Sequence, residues 1–360
     1  MKNKILIYSL LGVFAFQSCI NDDETPIAIP NFEGEIVNPN VGGAAQPNQI
    51  WFELSSGNSS ENLRTKWDLG FYCGDEFKVI LNSSALMAAG KIENATDINA
   101  ISETLDILAL EDEIQVANFV AENEQYVDNP AGNISGHTAI AEISENDSEN
   151  GIYLVNMGNE INTENIPLGS AQPKGDARGW MKIQITRNAD GYKIKYADIN
   201  ATTYKEYIIQ KNPDYNFVFF SLIDNQEVMV QPEKKHWDIC FTVFVNILSG
   251  AGSYIYSDFV TTNILSGVGA YQVKVPAGTN ATEVYNNFSA SDVDESKFIF
   301  DDQTAIGSTW RFTGPSGNDV YGDRFYIIKN TDGLYYKLKF NRMTNLEGVR
   351  GNPEFEYKPL

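Results

Sequence analysis

The hexapeptides HWDICF at residues 236–241 and KWDLGF at 66–71 set the reading of this chain. Two Trp-Asp pairs, each followed by alternating apolar positions and standing 170 residues apart in a chain with five tryptophans, point to an internal repeat. Each pair is preceded by an aromatic, strand-like run: Ile50-Trp51-Phe52-Glu53-Leu54 in the first case, Phe217-Val218-Phe219-Phe220-Ser221-Leu222 in the second. Each is followed by another, Phe77 to Leu81 and Phe241 to Leu248. Strict alternation would put Trp237, Ile239 and Phe241 on one core-facing side and His236, Asp238, Cys240 and Thr242 on the other. By the same rule Trp67 and Trp237 are the indoles that anchor each core, and Cys73 faces inward with Phe71.

Late in each unit a hairpin is expected. Trp180 to Ile185 and Tyr192 to Tyr196 flank Ala189-Asp190-Gly191, while Phe325 to Ile328 and Tyr335 to Phe340 flank Thr331-Asp332-Gly333. Asp-Gly between alternating runs is a strong hairpin signal because glycine accepts the positive φ of a tight turn, which makes Gly191 and Gly333 structural residues. The first unit has 28 more residues between its Trp-Asp and its hairpin glycine. The acidic stretch 96–124, with Ile98, Ile101, Leu105, Leu108, Ile114 and Val116 at helical spacing, is the expected insertion. A shorter helix is expected over Thr282–Phe288. The fold class is therefore mostly β, as two tandem antiparallel units over 50–212 and 213–360, with a helical insertion in the first.

The N-terminus carries targeting information. Met1-Lys2-Asn3-Lys4 leads into an apolar run from Ile5 to Phe16, which reads as a signal peptide over 1–18, too short for a permanent anchor. Cys19 after Ser18 resembles a bacterial lipobox, in which the cysteine becomes the lipidated N-terminus, and Asn21-Asp22-Asp23-Glu24 resembles the acidic export tag of Bacteroidetes surface lipoproteins. Several acyl chains on one cysteine would hold the protein stably at the outer membrane. The Pro-, Asn- and Gly-rich stretch that follows, up to residue 49, reads as a flexible tether. A formal charge of −22 repels phosphate backbones and argues against a nucleic-acid partner.

The lipobox, the aromatic strand entering W-D-φ-x-F, the Asp-Gly hairpin and the C-terminal Tyr336-Lys337-Leu338-Lys339-Phe340 followed by Gly351 to Tyr357 resemble the HmuY family, more closely over 215–360 than over 50–210. The resemblance implies an all-β haem-binding lipoprotein that passes haem to a TonB-dependent outer-membrane receptor, without catalysis. It also implies two iron-ligating side chains, histidines or methionines, one of them near the strand after the Trp-Asp. At that place this chain has Tyr72 and Thr242. Tyrosinate can ligate haem iron, so the candidate ligands are Tyr72, the two histidines His137 and His236, and the strand methionines Met181 and Met229. An alternative is the same scaffold without iron ligands, using exposed aromatics to bind a glycan or a protein.

Other chemistry finds little footing. His236, Asp238 and Cys240 alternate on one strand, which spaces the outer two about 13 Å apart, too far for a nucleophile and its base. Asp68 and Asp238 come with no partner acid or base and read as structural acceptors. Cys73 and Cys240, predicted on opposite faces, read as two free thiols.

Overall fold

A computed structural model of the chain describes residues 34–314 and 317–360. The expected signal peptide, Cys19 and the first part of the tether lie outside the described residues. Strands dominate, and every named pairing is antiparallel. Two five-stranded and two four-stranded sheets carry the architecture, with two small hairpins beside them. In each module a four-stranded sheet built on the Trp-Asp strand covers a five-stranded sheet built on the late hairpin, and the apolar core lies between them.

The folded modules and the sequence repeats are out of phase. The first Trp-Asp strand (Leu69–Tyr72) pairs with the second aromatic strand (Phe217–Ser221), while the first aromatic strand (Asn48–Phe52) pairs with the second Trp-Asp strand (Ile239–Leu248). Accordingly, Phe220 and Leu222 fill the first core beside Leu69 and Phe71, and Ile50, Phe52 and Leu54 fill the second beside Ile239 and Phe241. The outer sheets differ, since one edge strand of the first comes from its own unit and one of the second from the N-terminal segment. Lys205–Ile209 pairs with Gly191–Asp198 in the first module, and Glu35–Val37 pairs with Arg350–Pro359 in the second. The first module is thus continuous in sequence, whereas the second is closed by the N-terminal segment, so the units 50–212 and 213–360 are not the units that share a core. Residues 34–49, expected as tether, are part of that closure: Glu35–Val37 is a strand, Val41 is buried and Asn48 opens the next strand. Their Pro- and Gly-rich composition conceals a strand whose partner lies at the other end of the chain.

Matching contacts relate the modules. Asp68 N donates to Phe220 O and Asp238 N to Phe52 O. Each aspartate then accepts from the backbone two residues further along the aromatic run, Leu222 N to Asp68 Oδ2 and Leu54 N to Asp238 Oδ2, both at 2.7 Å. Asn82 Nδ2 donates to Trp67 O, and Asn263 Nδ2 to Trp237 O. The carboxylates therefore stitch the exchanged strand to the Trp-Asp strand, the structural role expected of them.

The Trp-Asp alternation needs correction. Trp67 and Trp237 do not share a face with Phe71 and Phe241; they belong to a separate cluster between the modules, because the regular strand starts only at Leu69 and Ile239. The asparagine clamp on the tryptophan carbonyl holds the preceding residue out of strand register. Cys240 accordingly sits buried in that same cluster, although it remains a free thiol, as does Cys73. In the first late hairpin the positive φ falls on Ala189 (49°), and Gly191 is a strand residue facing Asn188. A Cβ there would stand 2.2 Å from Ile209 O, so the need is close approach and not turn geometry. Gly333 does take the expected positive φ, at 80°. In the insertion the helix runs over Leu105–Glu113 and buries Ile107, leaving Leu105 and Leu108 exposed, so its inner face is one position off the predicted stripe. The second helix, Ala281–Asn287, falls where expected and is capped by the Asn280 side chain.

Two buried acids give the fold a pH dependence. Burial raises the Asp238 carboxyl to about 7 despite its bonds from Leu54 N and Thr331 N, and raises Asp128 to about 6. The native state therefore keeps protons that an unfolded chain releases near pH 4, so their stabilising contribution is whole at low pH and is lost as pH rises through about 6 to 7. Denaturant unfolding should show stability falling by about 2–4 kcal/mol between pH 4.5 and 8. A flat or rising profile would refute the assignment.

Candidate functional site

The cluster between the modules borders a cleft of about 1090 Å³ counting the open solvent at its mouth. Its walls are aromatic by construction. Trp51 meets Trp237 edge-on at 4.7 Å, and Phe219 meets Trp67 in the same way at 4.7 Å, so each exchanged strand delivers one ring against the tryptophan of its adopted module. Phe217 and Cys240 also line the space. Rings held this way are good stacking surfaces with little conformational freedom to lose.

Polar contacts tie the walls together. Trp67 Nε1 donates to Gln49 Oε1 at 3.0 Å, Gln49 Nε2 donates to Thr242 Oγ1, and Trp51 Nε1 donates to Asn62 Oδ1 at 2.7 Å. Across the modules Asn216 Nδ2 donates to Asn263 Oδ1 at 2.8 Å.

Over one side runs the loop 127–138, which lines the cleft along most of its length and buries Ile134 against the aromatic cluster. Its base is closed by Asn129 N donating to His137 O, and by the buried Asp128 carboxylate, which accepts from Leu81 N and Ala139 N. Its tip is latched to the second module, where Gln303 N donates to Ala131 O and Gln303 Nε2 to Pro130 O. No local signal in the sequence reveals this latch, whose other half is distant in the chain.

The structure does not bring the candidate iron ligands together. His137 lies on the cleft-lining loop, with Nε2 3.0 Å from Gln125 O. His236 is solvent-exposed, with Nδ1 3.2 Å from Glu53 Oε1. Met229 is 65% exposed, whereas Met181 is buried in the first core. Tyr72 packs beside Phe217, and its hydroxyl is pushed up from the ordinary value by burial first and then by Glu76 and Asp75, which opposes the tyrosinate that iron would need. Of the five only His137 lines the cleft, so a pair of axial side chains drawn from this set does not fit. Met87 and Cys240, which also border it, were not among the sequence candidates; Cys240 lies opposite Ile239 and Phe241 as alternation predicts, but that face is the cleft wall and not the outside of the protein. Among the described residues no group of histidine, cysteine or acidic side chains could hold a free metal ion, and no helix is long and apolar enough to cross a membrane.

Fold and cleft together define a duplicated, β-rich scaffold with an aromatic cleft at the seam of its modules. The HmuY protein family model matches it twice, over residues 45–212 and 213–357, and the chain belongs to that family. Solved structures similar to it include one reported as an HmuY-like haem-binding protein of Bacteroides vulgatus, at 14% identity, covering 49% of this chain and 90% of that one with a TM-score of 0.23. Another is reported as a lipoprotein of Bacteroides fragilis, at 13% identity, 51% and 92% coverage and a TM-score of 0.21. A third is apo PinO from Porphyromonas gingivitis, at 14% identity, 49% and 95% coverage and a TM-score of 0.17. A comparison with curated proteins finds no match.

Proposed function

We propose that this protein is a lipid-anchored outer-membrane surface protein that binds haem or a related porphyrin without catalysis and delivers it to a TonB-dependent receptor. The observation that carries the reading is the cleft between the modules, where the Trp51–Trp237 and Trp67–Phe219 pairs offer aromatic walls to a flat apolar ring. Family membership supports the ligand class, and the sequence of residues 1–24 supports the anchor. Ligand pockets of this kind bury most of a flat ligand against apolar walls and fix it with a few polar groups.

The test is a haemin titration followed by Soret absorbance and tryptophan fluorescence. Saturable quenching with a shifted Soret band is expected, together with a loss of affinity of about tenfold or more when Trp67 and Trp237 are both changed to Ala. Haemin that leaves both signals unchanged would remove the porphyrin reading and leave the glycan- or protein-binding scaffold in its place.

A further inference from the structure

The two tryptophans of the repeat are not equivalent at their ring nitrogens. Trp67 Nε1 has its acceptor in Gln49. Trp237 is 5% exposed, lines the cleft, and its Nε1 has no hydrogen-bond partner among the described residues. The repeat explains the difference. Phe52 and Phe220 receive matching bonds from the two aspartates, so Gln49 in the first aromatic strand corresponds to Phe217 in the second. Where the first copy has an amide to receive the indole N–H, the second has a phenyl ring. A second polar atom on the cleft wall, Gln231 Oε1, is also buried without a partner. Buried polar groups are almost always satisfied, and two orphans of opposite sense on one cavity are the complement of a ligand that brings both an acceptor and a donor.

We infer that the cleft reads its ligand at the edge: Trp237 Nε1–H donates to a carboxylate or carbonyl oxygen on a flat aromatic ring system, while Gln231 Oε1 accepts from an O–H on the same molecule, which in a porphyrin is a second carboxyl group held protonated. Recognition then runs through ring faces and ring edge and does not depend on a bound metal. This deepens the porphyrin reading and rests on it for the size of the ring, though not for the two hydrogen bonds. It also accounts for a cleft that only one of the five candidate iron ligands lines.

The experiment compares haemin, metal-free protoporphyrin IX and 6-hydroxy-2-naphthoate, a small flat acid with one donor, by fluorescence titration of the full chain. Three proteins are used: the wild type, Trp237→Phe, which keeps a stacking ring and removes the N–H, and Phe217→Gln, which supplies Trp237 with the internal acceptor that Trp67 already has. Protoporphyrin should bind within about threefold of haemin, and both variants should weaken each bound ligand roughly tenfold. Binding of haemin without protoporphyrin would overturn the inference, as would undiminished binding by Trp237→Phe. If neither porphyrin binds but the naphthoate does, with the same dependence on Trp237, the porphyrin reading fails and the edge recognition stands. If none of the three binds, the edge recognition is overturned as well.

Discussion

Removal of residues 34–63 is expected to unfold the second module and leave the first standing. The segment supplies three strands, Glu35–Val37, Asn48–Phe52 and Ser59–Leu63, to sheets whose other members lie between residues 239 and 359. It also places Val41, Ile50, Phe52 and Leu54 in the second core, each almost fully buried. Deleting one such side chain costs about 2–5 kcal/mol, so losing four together is comparable to the roughly 5–15 kcal/mol that stabilises a whole domain, before the three lost strands are counted. The first module draws its strands and core from the continuous stretch after Leu63 and gives up contacts at the cleft and a few hydrogen bonds beside it, such as Gln172 N to Ala44 O and Arg64 N to Pro47 O. Hydrogen exchange read by mass spectrometry should show protection lost over Ile239–Thr262 and Arg324–Pro359 while Leu69–Ile209 stays protected. Equal protection on both sides of the molecule, before and after the deletion, would mean that the second module closes on itself.

The same exchange explains what the sequence conceals. Periodicity and turn chemistry are local, and they located the aromatic strands, the Trp-Asp strands, both late hairpins and the helix at 281–287 to within a few residues. Which copy of the aromatic strand pairs with which Trp-Asp strand is a long-range choice. Asn48–Phe52 and Phe217–Ser221 are alike as sequence, so either could serve either module, and only the folded connectivity decides. The face of the tryptophans was misread for a local reason. The aspartate after each indole takes a backbone N–H from the exchanged strand, and the asparagine clamp breaks alternation at the position where it was assumed to begin. Once the tryptophans turn toward the cleft they join Cys240, which alternation already sets opposite Ile239 and Phe241, and the candidate site moves from the interior of each module to the seam between them. Two of the five candidate ligands, His236 and Met229, fall just outside the strands expected to carry them, one before Ile239 and one after Val228, where the chain is open to solvent.

Replacing Arg178 by Met is expected to cost about 3–5 kcal/mol at neutral pH, the penalty for leaving a buried carboxylate unpaired. Arg178 meets Asp68 at 2.7 Å with both side chains almost wholly buried, and its Nη1 donates to Met157 O at 3.0 Å. The modules differ at this point. Asp238 has a backbone N–H from Thr331 in the place of a guanidinium, and its carboxyl rises to about 7, so the second module tolerates the buried acid by keeping it largely protonated in mildly acidic solution. At Asp68 burial pushes the carboxyl up, against the pull of Arg178 and of its backbone bonds, and the arginine-paired side chain receives Leu222 N from the exchanged strand. Without the arginine, burial is opposed at Asp68 by its backbone bonds only, and the first module should acquire the pH behaviour of the second. The deficit of Arg178→Met, measured by urea unfolding, should therefore be largest near pH 8 and shrink by more than half near pH 5, where Asp68 takes up a proton and its cost as a lone charge disappears. Adding Asp68→Asn to Arg178→Met should recover part of the loss at pH 8 and almost none at pH 5. A deficit below about 1 kcal/mol, or one equal at both pH values, would show that the pair contributes as surface pairs do and that the stitch between strand and module is held by its backbone bonds alone.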